Sequence, residues 1–220
     1  MNTPNDLHAT EARPRVAAFD VDGTLTVRDC VVPFLRRVAG ARRIAPRLGV
    51  RPDRLLPTIV MRDRDRLKAL AAAATFRGRR LDDVRRVGAD FARHVHERWL
   101  RAESVDRLAD HLERGDHVVL VSASFEVYLE PLAEMLGAHD VLATRLSSRD
   151  GVLTGALDGP NCRGPEKVVR LHDWLDQEMG GRSAVDLAAY GDSRGDREML
   201  ADADAAHWVR DGRIVVEGAA

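Results

Sequence analysis

Strand-length apolar runs alternate with helix-length amphipathic stretches along this 220-residue chain, and that alternation constrains its fold more than any other feature. "RVAAF" (15–19), "HVVLVSAS" (117–124) and "AVDLAAYG" (184–191) are short, apolar and nearly unbroken, as strands covered on both faces must be. "FEVYLEPLAEMLG" (125–137) and "GPEKVVRLHDWLDQEM" (164–179) read as helices, the second with Pro165 well placed at its first turn. The pattern predicts an α/β protein, a three-layer, doubly wound, Rossmann-like parallel sheet with helices on its faces. "VLATRLSSRDGVLTGAL" (141–157) adds a hairpin turning at Asp150-Gly151, and "AHWVRDGRIVV" (206–216) closes with short strands around Asp211-Gly212.

The middle of the chain departs from this alternation. Helices are expected from Val31 to a stop at Gly40, from about Thr58 to Phe76, and from Leu81 to Leu100, where Val84, Val87, Phe91, Val95 and Trp99 share a face. A further helix ends at Gly115, with Ser104 as its N-cap. Pro46, Pro52 and Pro57 make a bent connection between the first two. The expected organisation is a catalytic core from residues 1–32 and 106–220, with a helical cap, 33–105, inserted after the first strand.

Composition narrows the class. The hydrophobic content is 45% and the net charge −1, ordinary for a globular protein. No apolar run approaches the roughly 18 residues a membrane span needs, and the polar opening "MNTPNDLHATEARP" reads as a loose tail, not a secretory signal. Cys30 and Cys162 form no CxxC or Cys/His cluster, which fits a reducing cytoplasm and argues against a disulfide scaffold or structural zinc.

In a doubly wound sheet, ligands bind beyond the carboxyl ends of the strands. Three strand ends here carry polar signals: "DVDGT" (20–24), "SAS" (122–124) and "GDSRGD" (191–196), while Lys167 begins the helix before the last of these strands. Singly, each has an ordinary explanation as a turn, an N-cap or a solvated side chain. Together they are an ordered set of two acids, a hydroxyl, a lysine and two more acids. Clustered carboxylates repel one another unless a cation sits among them, and magnesium prefers oxygen ligands such as Asp20 and Asp192. A phosphate dianion needs donors, which Lys167, Ser122 and the backbone N–H groups around Val21, Asp22 and Ala123 can supply. One carboxylate can then attack phosphorus, and the acid two residues on can protonate the leaving alkoxide. Lysine is scarce: of 34 basic residues only Lys68 and Lys167 are not arginine, so the compact ammonium at 167 reads as retained, and Lys68 as a lysine surviving elsewhere.

These four segments resemble, in order, the four motifs of the haloacid dehalogenase-like (HAD) hydrolases, subfamily IB, phosphoserine-phosphatase-like, over about Val16 to Val209. The resemblance implies a magnesium-dependent phosphatase acting on a small phosphorylated metabolite through an aspartyl-phosphate. It makes Asp20 the nucleophile and Asp22 the general acid/base. It puts Thr24, Ser122, Ala123 and Lys167 at the phosphate, and gives magnesium to Asp20, Asp192, the Asp22 backbone carbonyl and, through water, Asp196. Two departures from phosphoserine phosphatases concern the substrate. Ala123 and Ser124 follow Ser122 where glycines are usual, and Asp29 stands nine places after the nucleophile where a glutamate contacts the substrate amine. A substrate-binding cap arginine corresponds to Arg66 or Arg64. The substrate expected is a small polar ester, such as a polyol, sugar or amino-alcohol phosphate.

Several readings stay open. Asp29 serves either the substrate or the helix opening at "CVVPF", as an N-cap. Transfer to an acceptor other than water, including mutase activity, uses the same first half-reaction, and a silent phospholigand-binding protein would share the fold. From Arg36 to Arg86 there are 16 basic residues against five acids. This charge steers phosphorylated substrates, binds an anionic polymer or membrane surface, or is a solvated arginine-rich surface. Phe76 is the main aromatic in that stretch, so a nucleic-acid partner is not expected. His94, His96 and His111 lack metal-site spacing and read as surface or packed residues. Oligomeric state is not legible.

Overall fold

In the computed structural model, residues 13–40 and 64–216 are described. The polar opening tail up to residue 12, the connection bearing Pro46, Pro52 and Pro57, and the start of the helix expected from Thr58 lie outside them. In chain order the elements are β1 (Arg15–Phe19), α1 (Val31–Ala39), α2 (Arg64–Phe76), α3 (Leu81–Arg98), α4 (Ala102–Glu113), β2 (His117–Phe125), α5 (Glu126–Leu136), β3 (Asp140–Arg149), β4 (Val152–Asp158), α6 (Pro165–Glu178), β5 (Asp186–Gly191), α7 (Arg197–Asp202), β6 (Ala205–Arg210) and β7 (Arg213–Val216).

Among the described residues the strands form one sheet in the order β4-β3-β2-β1-β5-β6-β7. The inner pairs are parallel, and each edge is an antiparallel hairpin strand, β4 on β3 and β7 on β6. Asp150-Gly151 and Asp211-Gly212 turn these hairpins with φ of 52° and 74°, and 50° and 80°, the left-handed pair that matches strand twist. From β1 the chain winds outward through β2 and β3, then returns to β5 and β6 on the other side. The crevice at that reversal lies beyond the carboxyl ends of β1, β2 and β5.

Alternate strand residues face opposite layers, because side chains on a strand alternate faces. Val16, Ala18, Val119, Val121, Leu187 and Ala189 pack with Leu171, Trp174 and Leu175 of α6 and Met199 and Leu200 of α7. Ala17, Phe19, Val118 and Leu120 face the other layer. There, one continuous cluster takes in Tyr128 and Leu129 of α5 together with Phe34, Phe76, Val84 and Phe91 of the insertion. The Phe34 ring centroid lies 4.6 Å from Tyr128 and 5.4 Å from Phe91. Burying such an aromatic contributes about 1.5–3 kcal/mol, so the insertion helices are bound to the sheet layer through a shared core. Gly88 of α3 meets the α5 backbone so closely that a Cβ there would stand 2.1 Å from the Val127 carbonyl oxygen.

The chain enters and leaves the insertion side by side. Val27 N–H donates to Trp99 O at 2.8 Å, Arg101 N–H to Leu25 O at 2.8 Å, and Thr26 bridges to Leu100. The helix after this crossing starts at Ala102, not at Ser104; Ser104 is buried inside the first turn, and its hydroxyl has no hydrogen-bond partner among the described residues. Packing of that turn against the core, not a cap hydroxyl, sets the helix start.

Candidate active site

Asp20 ends β1 at the centre of the sheet, its N–H bonded to Tyr190 O of β5 at 2.9 Å. The turn that follows needs Gly23: its φ is +89°, and a Cβ there would lie 2.3 Å from the Asp192 carboxylate. The β1 and β5 loops are thus packed into contact, with Thr24 Oγ1 donating to Asp192 Oδ1 at 3.4 Å. Thr24 is buried and supports Asp192; it does not line the cavity described below.

Lys167, at the start of α6, is 1% exposed and points into this acid group. Its Nζ donates to Asp20 Oδ1, Asp196 Oδ1 and Val121 O, each at 2.6 Å. Burial works to lower its pKa, but Asp20 and Asp196 outweigh burial and raise it above the ordinary lysine value. Burial pushes Asp20 up to about 8, against the pull of Lys167. Burial likewise works to raise Asp196, where Lys167 and the Ser193 hydrogen bonds prevail and hold it below the usual carboxylate range. Asp192 is pushed up to about 6 by burial and by Asp196, which outweigh the pull of Lys167 and of the Thr24 hydrogen bond.

Asp20, Asp192 and Asp196 can bring one carboxylate oxygen each within 4.8 Å of one another. One lysine among three acids leaves a net negative, oxygen-only donor set, the chemistry that a hard divalent cation such as magnesium fits.

Asp22 is held by a different set. Its Oδ1 accepts the Cys30 N–H at 2.9 Å, and its Oδ2 accepts the Ser124 hydroxyl. Ser124 in turn accepts a hydrogen bond from the Tyr128 hydroxyl. Burial raises the Asp22 pKa. The serine that replaces the usual glycine in "SAS" is therefore bonded to the expected acid/base. Ser122 is 1% exposed, and its Oγ accepts the Ser124 N–H at 3.1 Å.

These residues open on a cavity of about 710 Å³, lined by Asp20, Asp22, Ser122, Ala123, Lys167 and Asp192. Asp29 lies at the exposed rim, where Oδ1 accepts the Val32 N–H at 3.2 Å; it makes the helix-capping bond and borders the cavity as well. Arg66 is exposed on α2 and is not among the described lining residues, and the side chain of Arg64 lies outside the description.

Lys68 and Asn161 line the cavity and escaped the sequence reading. Lys68, read as a lysine surviving elsewhere, faces the same cavity as Lys167. Its Nζ donates to Thr144 Oγ1 at 2.8 Å, Asn161 Oδ1 at 2.6 Å and the Ala123 carbonyl, and lies 4.5 Å from the Phe125 ring centroid. Asn161 also donates to Asp65 Oδ1 at 2.6 Å. The scarcity argument that singled out Lys167 applied equally to Lys68.

Elsewhere, His111 is packed: its ring nitrogens lie 2.8 Å from Asp116 and 2.8 Å from the Tyr190 hydroxyl. Phe76 is fully buried and offers no stacking platform. On the insertion Arg80, Arg86 and Arg93 pair with Asp82, Asp83 and Asp90. Among the described residues no helix is long and apolar enough to cross a membrane.

The family model described as haloacid dehalogenase-like hydrolase matches residues 17–201. Protein CicA of Caulobacter vibrioides is 38% identical over 192 residues, 87% of this chain and 84% of that one. A probable phosphatase of Mycobacterium tuberculosis is 29% identical over 203 residues, 90% of this chain and 69% of that one. Among solved structures, a protein of unknown function from Bordetella pertussis superposes with a TM-score of 0.71 at 25% identity, covering 86% of this chain and 87% of that chain. A phosphoserine phosphatase in its apo form gives a TM-score of 0.57 at 19% identity, covering 88% and 85%, a likeness of fold. With the family model spanning Asp20, Asp22, Ser122, Lys167, Asp192 and Asp196 alike, the chain belongs to the haloacid dehalogenase-like hydrolases.

Proposed function

We propose that this chain is a magnesium-dependent phosphatase that hydrolyses a small phosphomonoester through an aspartyl-phosphate on Asp20. The observation that carries this reading is the convergence on one cavity of Asp20, a lysine bonded to it, and a second acid, Asp22, held separately. Magnesium, held by Asp20, Asp192, the Asp22 carbonyl and, through water, Asp196, would neutralise charge on the phosphoryl oxygens. Lys167 orients the Asp20 carboxylate and adds positive charge beside the phosphoryl group. Asp20 attacks phosphorus, the ester oxygen leaves, and Asp22 gives it a proton. Asp22 then takes a proton from water, which attacks phosphorus, releases phosphate and restores Asp20.

The insertion is the cap in this reading, bounding the side of the cavity where the alcohol sits. Described residues there include aliphatic Val31, Leu35, Leu67 and Leu70, with polar contact from Asp29 and Asn161. That lining supports an alcohol with an apolar body and one or two polar groups over a wholly polar polyol. The test is phosphate release from a panel of aryl, alkyl and amino-alcohol phosphates with and without magnesium. Release that requires magnesium and vanishes in Asp20→Asn is expected; magnesium-independent release, or an active Asp20→Asn, contradicts the reading.

A further inference from the structure

We propose that Lys68 is a positioning residue of this site: delivered by α2 of the insertion, its amine holds the Ala123 carbonyl and the Thr144–Asn161 pair, so the phosphate-binding end of β2 is set when α2 stands over the cavity. The inference rests on the phosphatase reading for its catalytic consequence and on contacts alone for its structural one.

The need for such a residue arises in the sheet. The β2–β3 register pairs Ser122 with Ala143 and next pairs Phe125 with Thr144, so Ala123 and Ser124 are extra residues that leave the ladder. A bulge of this kind deprives backbone groups of their strand partners, and buried ones must be satisfied elsewhere. The Ala123 carbonyl is met by the Thr144 hydroxyl at 2.9 Å and by Lys68 Nζ. The same two residues carry the site: Ala123 lines the cavity and Ser124 bonds Asp22. Lys68 therefore grips the one peptide from which both the phosphate loop and the acid/base support extend.

Two other roles fit less well. As a ligand for a substrate anion, Lys68 would need a free donor, but an ammonium has three N–H bonds and three acceptors surround it. As inert packing, it is costly. Burial pushes its pKa down to about 7, with Asp22, Cys162, Asp65 and Asp29 acting against burial, whereas a methionine would fill similar space without a charge to desolvate. The second tie, Asn161 to Asp65 of the same helix, joins α2 to the same socket.

The test uses the full chain and Lys68→Met. Hydrogen exchange is read first, without substrate. Exchange should rise together in 123–125 and in α2, with β5 unchanged; no change in either segment overturns the proposal. Kinetics follow. A displaced reacting group costs up to about 10²-fold, so kcat is expected to fall about 10- to 100-fold with KM little changed and the melting temperature not lowered. Wild-type kcat, or a loss of activity tracking a loss of stability, overturns the positioning role. If wild type releases no phosphate from any ester, the phosphatase reading fails, and the exchange data still decide the contact role of Lys68.

Discussion

The two lysines line one cavity and are held by opposite chemistry. Lys167, from α6, sits between two carboxylates that raise its pKa. Lys68, from the insertion, is surrounded by a carbonyl, a hydroxyl, an amide and an aromatic face, and burial lowers it to about 7. A lysine among acids is a fixed charge suited to a phosphoryl group. A lysine whose hydrogen-bond acceptors are neutral carries a desolvation penalty that the nearby acids only partly offset, which suits a contact that forms and releases.

The largest effect should come from the fixed charge. Lys167→Met leaves Asp20 and Asp196 facing one another and removes positive charge from the phosphate position, so a loss of about 10²–10³-fold in phosphate release is expected. Lys167→Arg should be nearly as damaging, because three acceptors at 2.6 Å around one nitrogen suit a point charge and not a planar fork. Near-wild-type rates in Lys167→Arg would erase the distinction between the two sockets.

An intermediate effect belongs to the acid/base support. Ser124→Ala removes one of the two hydrogen bonds to Asp22. It should slow alkyl phosphates about 10-fold, a part of the roughly 10²–10⁴-fold that general acid catalysis contributes as a whole, and aryl phosphates less, since a good leaving group needs less protonation. Equal losses on both would detach Ser124 from the proton transfer.

The pH dependence of stability sharpens the comparison at Lys68. Its folded pKa of about 7 lies below the solvated value of 10.5. Between these values the unfolded chain binds more protons, so stability contributed at this site rises with pH. Denaturation at pH 7 and pH 10 should show wild type gaining on Lys68→Met as pH rises; a constant difference would mean that the amine is not desolvated. The smallest effect is expected at Asp29, where alanine should cost about 1 kcal/mol as a lost helix cap, with a change in preference among polar alcohols only if the carboxylate also meets the substrate.

Much of this was legible in the sequence because it is local. "VAAFDVDGT" carries a strand, its acids and the glycine that lets Asp192 approach, and "GDSRGD" carries a loop in which the Ser193 N–H and hydroxyl both donate to Asp196 within four residues. The edge hairpins followed from Asp-Gly turns. The Lys68 socket was not legible because its partners Ala123, Thr144 and Asn161 lie 55, 76 and 93 positions away. Nor could helical periodicity in α3 reveal which surface its apolar face covers; that it meets α5 through Gly88 is a tertiary fact. Ser104 misled because a serine before an apolar helical run looks the same whether it caps the helix or lies within its first turn.

The most direct test of the central claim is mass spectrometry of enzyme quenched in acid during turnover of an aryl phosphate. The account predicts one phosphoryl group on the peptide containing Asp20, accumulating further in Ser124→Ala if water activation slows, and absent from Asp20→Asn. Turnover with no phosphorylated Asp20 peptide under any quench time, or a phosphoryl group on another residue, would contradict it.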